Sequence, residues 1–136
     1  MVAQTTTAYP ITLDTSCWLE VFANGTMAHH YLAATQQPAL LVVPVITIYE
    51  VFKNLLRLSG KETALQAVAW MEHGQVVDIH RNLALEAASN GLPMTDSLIY
   101  ATAQLHHAEL WTQDAHFEGL AGVKYFAKHY PSGAKG

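Results

Sequence analysis

Short apolar runs alternate with segments of helical period along almost the whole of this sequence, and few folds accept that order. Ala39 to Val43 (ALLVV) is apolar without a break, the composition of a parallel strand buried on both faces. Tyr9 to Leu13 (YPITL), Gln75 to Ile79 (QVVDI), Glu109 to Thr112 (ELWT) and Val123 to Phe126 (VKYF) have strand length too. Strands that alternate with helices pair in parallel, because each helix carries the chain back across the sheet. The expected fold class is α/β, with helices on both faces of a mostly parallel sheet.

The helices have their own punctuation. Thr15-Ser16 opens a first helix through Trp18, Leu19, Val21 and Phe22, stopped near Asn24-Gly25. Thr26 to Gln36 reads as a second helix, ended by Pro38. Pro44 sits where the first residue of a third helix belongs, and that helix runs from Val45 to Ser59. Lys61 to Glu72 and Arg81 to Ser89 follow, closed by Gly74 and by Asn90-Gly91. Thr95 or Asp96 can cap a last helix with Leu98, Ile99, Ala101, Thr102 and Leu105 on its apolar face.

A chain of 136 residues suits one domain, expected over residues 9–130. Residues 1–8 read as a flexible lead-in and 131–136 as a frayed tail. The single Cys17 excludes an internal disulfide and a cysteine-cluster metal site. No run is long enough to span a membrane, and the first residues lack a secretory pattern, so a cytoplasmic location is expected.

Carboxylates carry the chemistry. Asp14 directly follows the first strand and Asp114 ends the fourth. Glu50 falls in the second turn of the helix after strand two, and Asp96 starts the helix before strand four. Ligands of open α/β sheets sit outside the carboxyl ends of the strands, and all four acids fall at or near that edge. Capping or turn formation is reason enough for any one of them. Four together need a cation. The net charge of −4 agrees: removing four of eleven acids leaves seven against seven bases, so the surplus is local. Such a set fits Mg²⁺, with Mn²⁺ as a substitute. Thr112 lies two residues before Asp114, so its hydroxyl shares that face of the strand and can orient a carboxylate.

LDTS at 13–16, ITIYE at 46–50, LPMTDSLIYATA at 92–103 and LWTQDAHFEGLAGVKYF at 110–126 resemble the PIN-domain nucleases. The similarity is closest to the VapC-type ribonuclease toxins of bacterial toxin–antitoxin pairs. It implies a three-layer α/β/α fold with strand order 3-2-1-4-5. It also implies a Mg²⁺-dependent endoribonuclease that cuts a structured RNA such as tRNA. Its partners would be that RNA, a cognate antitoxin and a second copy of the chain, with the apolar first helices as dimer contacts. The resemblance carries the acidic quartet over to Asp14, Glu50, Asp96 and Asp114, with Thr112 beside it. His116 stands where many relatives have a further Asp, which weakens a second metal position.

Other residues have simpler readings. Lys53 and Arg57 share the Glu50 stripe and either contact RNA phosphate or form a solvated face. The adjacent pairs His29-His30 and His106-His107 would point their rings apart, and no HExxH spacing supports zinc. His106 and His107 suit the last turn of a helix. Trp18, Trp70 and Trp111 read as core or interface. A catalytically weak RNA-binding or antitoxin-docking module is the alternative function. A phosphoacceptor domain needs an acidic pair on strand one, and Asp14 has no acidic neighbour.

Overall fold

The computed structural model describes residues 9–128; the lead-in over 1–8 and the tail over 131–136 lie outside them. Its strands are β1 (Ile11–Leu13), β2 (Val42–Pro44), β3 (Gln75–Val77), β4 (Glu109–Thr112) and β5 (Val123–Tyr125). β1 pairs with β4 and β4 with β5, while β2 pairs with β3, every ladder parallel. A parallel bridge from Ile11 to Leu41 joins the two ladders. The order across the sheet is therefore β3-β2-β1-β4-β5, as expected.

The helices are α1 (Thr15–Phe22), α2 (Ala28–Thr35), α3 (Val45–Ser59), α4 (Lys61–Met71), α5 (Arg81–Ala88) and α6 (Met94–Leu105). Successive strand residues point to opposite faces of a sheet. Val43 joins Leu13, Trp18, Tyr31, Val51 and Met71 in one core cluster. Its neighbour Val42 joins Ile99, Leu110 and Phe117 in the other. Both valines are buried, which is why β2 needs apolar residues without alternation. Trp18 is fully buried and Trp111 packs against the same core, whereas Trp70 is exposed.

Three boundaries at prolines differ from the sequence reading. Ala39 and Leu40 lie in a 3-10 turn, Pro38–Leu40, so the second strand starts later and ends on Pro44. Pro44 caps α3 instead of opening it, because its ψ of 132° is extended. Its carbonyl accepts from Thr47 Oγ1 at 2.7 Å. In α6 the cap is Pro93, not Thr95 or Asp96; Ser97 N donates to Pro93 O at 2.7 Å. The Asp96 carboxylate is thereby free of capping duty within the first turn. His106 and His107 lie past the last turn of α6: His106 is the C-cap, and His107 takes the left-handed φ of 53° that closes many helices.

Candidate active site

β1 and β4 end side by side, with Leu13 opposite Trp111 and Asp14 N donating to Trp111 O at 3.1 Å. Asp14 and Asp114 therefore leave the sheet at one edge. Asp14 is 3 % exposed and caps α1. Its Oδ1 accepts from Cys17 N at 3.1 Å and Ser16 Oγ at 2.6 Å, and its Oδ2 from Thr112 Oγ1 at 2.6 Å. Burial pushes the Asp14 carboxyl above its ordinary range, and these hydrogen bonds pull it only part of the way back.

The fully buried Thr112 hydroxyl works in both directions. It donates to Asp14 and accepts from Asp114 N at 2.8 Å. Ser16, which the sequence reading placed only at a helix start, ties the same two loops: its Oγ accepts from Gln113 N at 3.3 Å. A hydroxyl two residues after an N-cap Asp is the only sequence signal for that role. Cys17 is buried, which pushes its thiol well above its usual range and keeps it neutral.

The remaining groups gather above this base. Asp114 caps a 3-10 turn, Ala115–Phe117, with its Oδ1 accepting from His116 N at 2.9 Å. The turn swings the His116 ring back, so that Nδ1 lies 3.2 Å from Asp114 Oδ1 and 3.5 Å from Asp96 Oδ2. One donor atom from each of Asp96, Asp114 and His116 lies within 4.8 Å of the others, the one such three-residue group among the described residues. Burial raises the Asp96 carboxyl first, the Asp114 charge raises it further, and His116 opposes both. Glu50 is raised chiefly by burial and then by the Asp96 charge, against Thr15, Thr95 and Lys53. Thr15 Oγ1 donates to Glu50 Oε1 and fixes that side chain to the start of α1.

The structure thus brings Asp96, Asp114 and His116 together. Glu50 stands beside them, coupled to Asp96, and Asp14 lies behind them through Thr112. Lys53 and Arg57 line an adjoining groove of about 390 Å³ with Tyr49, Glu50, Met94 and Thr95. Neither base has a carboxylate partner among the described residues. Among the described residues no histidine other than His116 enters a cluster of this kind. His29 and His30 do not point apart, as their ring centroids are 4.0 Å from each other, but among the described residues they recruit no third ligand.

A parallel α/β/α sheet with a carboxylate pocket at its C-terminal edge, and with the ordered acids that build it, defines the class. The PIN domain family model matches residues 11–123, and the chain belongs to that family. A toxin–antitoxin complex from Klebsiella pneumoniae contains a chain 25% identical, with a TM-score of 0.71 over 84% of this chain and 95% of that one. VapC20 of Mycobacterium tuberculosis, a sarcin-ricin loop cleaving toxin, is 18% identical with a TM-score of 0.65, over 82% and 95% of the two chains. DNA-bound VapBC from Salmonella typhimurium is 15% identical with a TM-score of 0.66, over 87% and 97%. No curated protein sequence matches the chain significantly.

The donor set fits the divalent cation that the family implies. Burial and the nearby Asp114 charge raise the cost of ionising Asp96, and a cation between the two carboxylates removes it.

Proposed function

We propose that this chain is a metal-dependent endoribonuclease toxin that hydrolyses phosphodiester bonds in RNA. The observation that carries the reading is the meeting of Asp96, Asp114 and His116 at the strand ends of a PIN domain. Asp96 and Asp114 hold a divalent cation, Mg²⁺ or Mn²⁺. When bound, it supplies Lewis acidity and neutralises charge on the phosphate. Asp14 acts from behind: its oxygens already accept from three groups, so it fixes Thr112 and, through Thr112, Asp114. Glu50 has a raised proton affinity at the mouth of the groove, which suits a base that orients the attacking water and takes its proton. In-line attack breaks the bond to the 3′ oxygen and leaves a 5′-phosphate and a 3′-hydroxyl. Lys53 and Arg57 receive flanking phosphates in the groove.

A structured RNA such as tRNA is the proposed target, and a cognate antitoxin the proposed inhibitor. Its basic side chain would enter among the carboxylates in place of the cation. The known assemblies of fold relatives with antitoxins support that partner. A homodimer and a cytoplasmic location belong to the same proposal. Among the described residues no helix is long and apolar enough to cross a membrane. The exposed large apolar residues are absent from α1; Leu56, Leu58, Leu65 and Trp70 on α3 and α4 are the better dimer or antitoxin contacts.

The test is cleavage of total RNA by antitoxin-free protein with Mg²⁺, with Mn²⁺ and with excess chelator. Discrete bands that need the metal and vanish in Asp96→Asn are the expected result. A folded protein that cuts nothing in either metal overturns the nuclease and leaves a binding module.

A further inference from the structure

We infer that His116 is a direct metal ligand and that it sets the ion preference of this site, favouring a divalent first-row transition ion over Mg²⁺. The inference rests on the metal-dependent reading of the same pocket and adds to it the chemistry of the ion. Three observations carry it. His116 Nδ1 is as close to Asp96 and Asp114 as those groups' common ligand would require, with all three donors inside 4.8 Å. The ring is aimed by its own backbone, since the His116 N–H is held by Asp114 Oδ1 at 2.9 Å. Asp114 in turn is held through its N–H by Thr112. The imidazole is thus delivered to the carboxylates by a chain of hydrogen bonds that starts on the buried Asp14.

The ion preference follows from the donor atoms. Mg²⁺ demands oxygen ligands in near-octahedral order and keeps several waters. An imidazole nitrogen gains little from Mg²⁺ and more from each later ion of the series from Mn²⁺ through Co²⁺. Two carboxylates and one imidazole therefore discriminate where an all-carboxylate pocket does not. Coordination through Nδ1 leaves the ring proton on Nε2. Because the side chain is largely exposed, that N–H can donate to a phosphate oxygen of the substrate.

Metal-stripped protein is titrated calorimetrically with MgCl₂, MnCl₂ and CoCl₂, and the Mn²⁺ form is examined by pulsed electron paramagnetic resonance. The expected result is a spin-echo modulation from a coordinated ¹⁴N, with Mn²⁺ and Co²⁺ bound more tightly than Mg²⁺. In His116→Asn the modulation disappears and Mn²⁺ affinity falls by about tenfold or more, the loss expected when a metal site is disturbed at one ligand, while Mg²⁺ affinity holds. His116→Asp brings Mg²⁺ binding back towards that of Mn²⁺. Absence of ¹⁴N coupling in the wild type, or an unchanged Mn²⁺ to Mg²⁺ ratio in His116→Asn, overturns the inference. RNA cleavage measured on the same samples separates the two readings. Histidine-dependent binding without cleavage removes the nuclease and keeps the ligand; cleavage without ¹⁴N coupling does the reverse.

Discussion

Thr112 joins two loops with one oxygen. It donates to Asp14 and accepts from Asp114 N with no solvent exposure, so nothing replaces it when it is lost. Thr112→Val keeps the shape but orphans both partners. We predict a loss of roughly 1–3 kcal/mol, the cost of unpairing a buried polar group, read from urea unfolding, with cleavage reduced at the same time. Thr112→Ser retains the hydroxyl and should keep most of both. At this scale the sequence is informative about where the candidate acids lie and poor about how each is held. The positions of Asp14, Glu50, Asp96 and Asp114 are legible because strand ends and helix starts can be placed from pattern alone. That Asp14 is spent on three donors while Asp96 and Asp114 face each other is not legible. Those distances depend on how β1 and β4 register, which spacing does not encode.

The corner between α1 and α2 is held by Glu20, an acid with no reading in the sequence because its charged partner, Lys128, is remote. It is buried, accepts from Met27 N at 2.8 Å and pairs with Lys128 Nζ at 3.0 Å. Burial pushes its carboxyl up, but the Met27 amide and the Lys128 charge outweigh that, and the group lies below its ordinary value. A depressed folded value means that the stabilisation is complete above the unfolded pKa, about 4.3 for Glu, and is lost as pH falls through the folded one. Glu20→Ala should therefore cost roughly 1–3 kcal/mol at neutral pH and progressively less in acid, measured by urea unfolding at both. Gly25 has a related constraint, since a Cβ there would meet Glu20 Oε2 at 2.2 Å. Gly25→Ala should displace that carboxylate and destabilise in the same sense. The three proline boundaries that the sequence misplaces share one cause. Pro38, Pro44 and Pro93 each end one geometry and start another, and the first-turn pattern alone does not say on which side of the proline the helix begins.

For the molecule as a whole, the order of strands is the part least written in local pattern. A parallel pair leaves no mark on either strand naming its neighbour, and the order 3-2-1-4-5 follows from family resemblance, not from periodicity. Alternation of strand and helix suffices for the layers, and the doubly buried β2 for the parallel sheet. The pocket also sets the pH response of the metal-free protein. Asp14, Glu50 and Asp96 are all raised in the folded state, each first by burial. Their ionisation therefore opposes folding: the contribution is favourable in acid and is lost as pH rises from about 4 through the raised folded values. Asp96→Asn should melt higher than the wild type at neutral pH without metal, with the gap closing towards pH 4, followed by circular dichroism. A divalent ion should raise the wild-type melting temperature and leave that of the variant nearly unmoved. A site that costs stability to assemble and regains it on binding is the pattern expected of function.

The central claim is that this pocket hydrolyses RNA with water and a metal. The ends of the fragments test it most directly. A cleaved transcript should carry 5′-phosphate and 3′-hydroxyl termini, appear only with a divalent ion and be absent with Asp96→Asn. Fragments ending in 2′,3′-cyclic phosphate, produced equally in chelator, would contradict it, since they would come from attack by the ribose hydroxyl with no role for the carboxylates.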